Sequence, residues 1–354
     1  MLKTLHSTSH SDFFLLPSDP PKTFLLFGVY LAFLLQVVTL LYVAYRLGSS
    51  PFTSTNLMND YASPQPAGQS GKDLRISLEN QPITIVGAPF PLAAREIERQ
   101  GFSAVYLSGA ALSAGLLGIP DVGLIPFEEL ERQTFQLTQN VCIPVIVDAD
   151  TGYGDSVAIE KNICRLEAAG AAAIQIEDQV LERRCGHLNG KQVIPESEMA
   201  EKIHAACEGR QSEDTVIIAR TDVRGVTSMK DCLSRIEAYH NAGADWIFPE
   251  ALQSQEEFSA AGTLLKELHS TGLANMTEFG RGPLLSRETL GELGFAAVLY
   301  PVTLLRLAMK AIEVGLEVLG DEGSQKTLLD LMQTREELYE LLDYDPSLEN
   351  NKNP

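Results

Sequence analysis

From Pro82 onward the chain repeats one pattern: a short apolar run of strand length, then a charged segment of helical character, with turn residues between units. Runs of strand character fall near 83–87, 104–108, 145–150, 173–178, 216–222, 246–250, 273–277 and 297–301, and helical stretches at 91–100, 156–169, 197–208, 229–242 and 254–271 lie between them. Strands that are apolar throughout are buried on both faces, and with helical crossovers they form a parallel sheet covered by helices. No glycine-rich phosphate fingerprint follows the first run. A closed TIM (β/α)8 barrel is therefore expected ahead of an open doubly wound sheet. With 354 residues, 45% of them hydrophobic, the chain can bury a core of that size.

In such a barrel the C-terminal ends of the strands line the active site. Taken in order, those ends carry Ser108 and Gly109, Asp148 and Asp150, Glu177 and Asp178, Arg220, Glu250, Asn275 with Thr277 and Glu278, and Tyr300 with Pro301. Singly, each is as good a helix cap as a ligand. Together they make an oxygen-rich site suited to Mg²⁺, which takes one or two protein carboxylates and keeps several waters. Arg220, with Arg306 and Arg335 beyond the last strand, can clamp carboxylates bidentately. A formal charge of −20 makes nucleic acid or an anionic membrane face an unsuitable general partner, so an anionic substrate needs such local arginines.

The stretch IEDQVLERRCGH places Cys185 among Arg183, Arg184 and His187. Nearby positive charge favours the thiolate, which suits a proton donor or nucleophile. A lone cysteine is also commonly a small buried hydrophobe, and on the residues alone both readings stand. Cys142, Cys164, Cys207 and Cys232 complete a set of five with no C-x-x-C spacing, so no disulfide framework or zinc site is signalled and a reducing, cytoplasmic compartment is expected. His204, His240 and His269 lie on expected helices and read as packing or surface residues.

Ahead of the repeats, residues 23–45 carry no charge and are long enough to span a bilayer as a helix. Two readings are open: a membrane anchor, or untranslated sequence upstream of a start at Met58. The organisation expected is thus an extension over 1–57, a polar linker over 58–77, a barrel over 78–320 and a helical tail over 321–354.

The motifs VDADTGYG, IED ahead of RRCGH, IIARTD, FPEA, ANMTEFG and the tail MQTREELYELL together resemble the isocitrate lyase and phosphoenolpyruvate mutase superfamily, most closely its 2-methylisocitrate lyases, over about residues 78–345. The resemblance implies a Mg²⁺-dependent TIM barrel, a homotetramer whose C-terminal helix is exchanged between subunits, and cleavage of a tricarboxylate, 2-methylisocitrate, to pyruvate and succinate on the methylcitrate route of propionate breakdown. Asp148 and Asp150 would hold Mg²⁺, with Asp121, Glu177 and His187 nearby. Ser108, Gly109 and Ala110 would cradle the keto-acid carboxylate, and Cys185 and Gly186 would lie on the gating loop. Arg220, Glu250, Asn275, Thr277, Arg306 and Arg335 would contact substrate; Cys185, Tyr106, Arg220 and His187 would be catalytic; and Phe248, Leu299 and Pro301 would form the pocket for the extra methyl group. The chain departs from the family pattern in reading SGAA where SGGG is common, and in carrying Arg183 where a lysine is usual. Isocitrate lyase, an oxaloacetate-type hydrolase and a membrane-tethered non-catalytic barrel are the alternatives.

Overall fold

The computed structural model describes residues 68–80, 82–181 and 190–346. Its centre is a closed parallel barrel in which the strands follow one another in chain order. They are β1 (Ile83–Gly87), β2 (Ala104–Leu107), β3 (Val145–Asp148), β4 (Ala173–Glu177), β5 (Val216–Thr221), β6 (Trp246–Pro249), β7 (Thr271–Asn275) and β8 (Ala297–Tyr300), with β8 pairing back onto β1. This is the expected fold. The strands stop a residue or two short of most expected ends, in part because the backbone turns left-handed just beyond them, at Asp150 (φ 49) and Ala251 (φ 62).

Successive side chains on a strand point to opposite faces, and the packing follows that parity. Ile85, Tyr106, Ile146, Ala173, Ile218, Trp246, Phe248, Leu273 and Leu299 form the interior cluster, while Val105, Val147, Ile174, Ile217, Ile247 and Val298 pack outward beneath the helices. Those helices, α2 (Pro91–Arg99), α3 (Phe127–Thr138), α4 (Ser156–Ala168), α5 (Glu196–Gly209), α6 (Met229–Asn241), α7 (Gln255–Glu267) and α8 (Arg287–Leu293), lie within or near the expected helical stretches where one was read. The expected 254–271 helix is shorter because His269 takes a left-handed φ of 54, which frees Thr271 to begin β7. On the neighbouring edge Gly87 is required: a Cβ there would lie 1.9 Å from the Pro301 carbonyl oxygen.

The segment read as linker ends in a helix, α1 (Gln69–Ser77). Leu74 is wholly buried and joins the interior cluster, while Arg75 donates to the Asp214 carbonyl at 3.0 Å and to Asp245 Oδ1 at 2.8 Å. Both partners precede strands, so α1 closes the N-terminal end of the barrel. A Cβ on Gly71 would come within 2.3 Å of the Asp214 carbonyl oxygen, so glycine permits the close seating. Burying one leucine contributes about 1.5–3 kcal/mol, a signal too small to stand out of a polar stretch.

After β8 the chain continues as α9 (Thr303–Glu322), none of whose residues is buried, and then α10 (Arg335–Leu341). A capping box between Thr334 and Glu337 starts α10, and Arg95 on α2 donates to the Leu341 carbonyl at 3.1 Å. Among the described residues no helix is long and apolar enough to cross a membrane. The expected span at 23–45 lies outside them, as do Arg183, Cys185, Gly186 and His187.

Candidate active site

Parity continues past the strands and decides which polar residues face the barrel axis. Asp148 follows Ile146, Glu177 follows Gln175, Arg220 and Asp222 follow Ile218, and Glu250 follows Phe248. Asp178 has the opposite parity and does not join them. Its carboxylate accepts from Thr221 Oγ1 (2.6 Å), the Asp222 amide (2.8 Å), Arg235 (2.8 Å) and the Tyr239 hydroxyl (2.8 Å), knitting strands to α6. It is a structural carboxylate, and the adjacent Glu177 alone serves the mouth.

Asp148 is held from three sides. Gln175 donates to its Oδ1 at 3.0 Å, the Asp150 amide to the same oxygen at 3.3 Å, and the Gly109 amide to Oδ2 at 3.3 Å. Gln175 accepts in turn from the Tyr106 hydroxyl at 2.6 Å. Burial, and then the negative charge of Asp148, push the Tyr106 hydroxyl well above its ordinary pKa, so Tyr106 is a fixed donor and not a base in this arrangement. Asp150 is buried with a left-handed backbone, a conformation aspartate tolerates better than most residues and one that clusters at functional sites.

The cradle begins at Ser108, whose hydroxyl caps the short turn Gly109–Ala111 by accepting from the Ala111 amide at 3.3 Å. That turn has helical backbone and no left-handed residue, so Ala110 and Ala111 sit without strain where the family pattern has glycines. A π-helical turn, Leu112–Leu116, follows, and Asp121 lies half-buried on the loop beyond it.

Arg220 brings positive charge to the mouth. Its Nε lies 3.3 Å from Glu177 Oε2, and it donates to Asp222 at 2.8 and 3.2 Å, with its guanidinium 5.1 Å from the centroid of the Phe248 ring. Burial alone would lower its pKa, but Asp222, Glu177 and Glu250 hold it well above the ordinary value. Burial likewise works against ionised Asp222, yet Arg220 and Lys191 keep its pKa below the usual carboxylate range. On the next strands Asn275 donates to Glu250 at 3.1 Å, and Thr277 stands half-buried beside it.

Phe248 and Leu299 are each 1% exposed and face the interior, with Pro301 half-buried at the end of β8. Arg306 and Arg335 are not drawn into this cluster within the chain. Arg306, half-exposed, lies 3.6 Å from Glu278 and stacks on Phe279, and Arg335 is exposed on α10. Gln175, Gln179, Lys191 and Asp222 are site residues that sequence reading passes over. Gln175 leaves a trace there as the one polar residue inside AAAIQI, and Gln179 and Asp222 stand inside the motifs IEDQVLERRCGH and IIARTD.

The donor set fits a hard divalent cation. Asp148, Asp150, Glu177, Asp222 and Glu250 outnumber Arg220 and Lys191, and every acidic donor is an oxygen. Among the described residues no group of three or more His, Cys, Asp or Glu side chains is placed to hold a metal ion. Cys232 is fully buried and its thiol is pushed up to about 12, whereas Cys142 is exposed.

The sequence profile of the phosphoenolpyruvate phosphomutase family matches residues 76–319. A 2-methylisocitrate lyase of Aeropyrum pernix is 45% identical over 281 residues, covering 79% of this chain and 89% of that protein. Among solved structures, 2,3-dimethylmalate lyase superposes with a TM-score of 0.72 at 32% identity, over 79% of this chain and 94% of the other. Oxaloacetate acetylhydrolase bound to 3,3-difluorooxalacetate does so with a TM-score of 0.75 at 30% identity, over 81% and 97%.

Proposed function

The chain belongs to the phosphoenolpyruvate phosphomutase family, and on that premise we propose that it is a carbon–carbon lyase that cleaves 2-methylisocitrate to pyruvate and succinate with Mg²⁺, as a homotetramer. The observation that carries the reading is the excess of buried carboxylates at the strand ends around Arg220. Asp148 and Asp150 are the residues that would hold Mg²⁺. When bound, the ion supplies electrophilic stabilisation to the keto-acid half of the substrate.

The chain's own groups provide the rest. Amides of the Ser108 to Ala110 turn donate to the keto-acid carboxylate, and Arg220, Asn275 and Thr277 orient the carboxylates of the succinate half. Loss of the C2 hydroxyl proton to a local carboxylate lets the C2–C3 bond break. The hydroxyl carbon leaves as the pyruvate carbonyl, and the electron pair on C3 is delocalised into its carboxylate before Cys185 delivers a proton to form succinate. Cys185, Gly186 and His187 enter this scheme on sequence alone. Phe248, Leu299 and Pro301 are the specificity positions, where one methyl group is worth about 1–3 kcal/mol. Place in the methylcitrate route follows from the substrate. Arg306 and Arg335 would join the site through a neighbouring subunit on this reading.

The test is product formation by the purified full chain with Mg²⁺ on 2-methylisocitrate and isocitrate in parallel, following pyruvate and glyoxylate. Pyruvate with little glyoxylate is the expected result. Turnover of oxaloacetate with neither of those products would move the assignment to a hydrolase.

A further inference from the structure

We infer that Lys191 is a positioning residue for Arg220, acting through Asp222. Its Nζ lies 2.7 Å from Asp222 Oδ1, and both side chains are essentially sealed from solvent, at 1% and 0% exposure. Asp222 spends its carboxylate on two cations at once, since it also accepts from Nε and Nη2 of Arg220. The guanidinium therefore takes its place from two carboxylates, Glu177 and Asp222, and one of those is itself fixed by the lysine. Lys191 stands where the chain closes on itself: the Val180 amide donates to the Gln192 carbonyl at 3.1 Å and the Ile194 amide to the Asp178 carbonyl at 2.9 Å, with Gln179 and Val193 paired antiparallel. On the other side of that bridge Gln179 donates to Glu177 at 3.0 Å. One short bridge thus steadies both carboxylates that hold Arg220.

A buried lysine and aspartate are poor stabilisers compared with packed apolar side chains, so stability is a weak reason for placing them there. Fixing the orientation of a group that meets substrate is a better one, and such supporting contacts are typically worth about 10–100-fold in activity or affinity. The lysine also fills its space closely: a Cβ on Gly225 would meet Nζ at 2.8 Å and Cε at 3.0 Å. Gly225→Ala therefore presses on the ammonium without changing any charge or touching Arg220.

The inference rests on the lyase reading, and the experiment separates the two. Absence of wild-type turnover of 2-methylisocitrate would refute the lyase reading alone; the same variants are then compared by calorimetric binding of succinate. Lys191→Met is expected to fold, because Asp222 keeps Arg220 as its counter-charge, and to lower kcat/KM, or succinate affinity, by about 10–100-fold while Mg²⁺ affinity measured by calorimetry stays unchanged. The double variant Lys191→Met with Arg220→Gln should be no worse than Arg220→Gln alone, since a residue acting through another shows strong non-additivity. Losses that multiply, wild-type activity in Lys191→Met, or a fall in Mg²⁺ affinity would each overturn the proposal. If Lys191→Met does not fold, Gly225→Ala decides: it should reduce kcat/KM in the wild-type background and add nothing to Arg220→Gln, and full activity or an additive loss would overturn the proposal.

Discussion

The side-chain amide of Gln175 donates to Asp148 Oδ1 at 3.0 Å, across a register that sets the two residues side by side on β4 and β3. Because the same amide's oxygen is taken by Tyr106, the orientation of the Gln175 amide is fixed, and with it the carboxylate of Asp148. Gln175→Leu is expected to lower Mg²⁺ affinity about 10–100-fold, read by calorimetry. Tyr106→Phe leaves the Gln175 oxygen buried without its donor and is expected to destabilise the fold by about 1–3 kcal/mol in urea titration, with a smaller effect on the metal.

Arg220 makes a forked contact with Asp222 through two nitrogens while its Nε also approaches Glu177, a geometry a lysine cannot reproduce. Arg220→Lys keeps the charge and loses the fork. Loss of one charged hydrogen bond, about 2 kcal/mol, corresponds to roughly a thirtyfold rise in KM for 2-methylisocitrate. Steady-state kinetics checks this, and an unchanged KM would remove Arg220 from the substrate contacts.

Acid should unfold the barrel from carboxylates that are paired in the native state. The pKa of Asp222 is held low by Arg220 and Lys191 against its burial, and that of Glu257 by Arg224, also against burial. A carboxylate whose pKa is depressed by folding stabilises fully above its unfolded value, about 4, and that contribution disappears as pH falls through the folded value. Asp178 has the opposite sign, because burial and the Asp222 charge raise its pKa, so its contribution is lost as pH rises through that value. The paired groups should dominate the acid limb. Urea titrations between pH 7 and pH 3 should show stability falling most steeply below pH 4, and a flat profile there would contradict the pairing.

The barrel was legible because its strands are apolar throughout and separated by helical segments, a pattern few other folds produce. The mouth was legible because polar residues at strand ends have few other reasons to recur. Composition could not separate Glu177 from Asp178, but the alternation of side chains along β4 does, and it sends Asp178 outward to Arg235 and Tyr239. Lys191 carried no signal, since its partner Asp222 is distant in the chain and a lysine after glycine reads as an ordinary loop. For α1 a single buried leucine was outweighed by polar neighbours. The placement of Arg306 and Arg335 depends on where helices after the last strand travel, which local pattern does not encode.

That last point leads to self-association. α9 presents Met309, Ile312, Leu316 and Leu319 to solvent along one face, each at least 45% exposed, on a helix of 20 residues that buries none of them against its own barrel. An apolar stripe of that length is unfavourable in water and marks a protein interface. Sedimentation velocity of the full chain should show a defined oligomer, a tetramer on the proposed reading. Ile312→Glu with Leu316→Glu places two charges in the stripe and should shift the distribution to smaller species. If Arg306 and Arg335 reach the site only through such a neighbour, the same double variant should also raise KM for 2-methylisocitrate. Dissociation with unchanged kinetics would show that each barrel is complete without its partner.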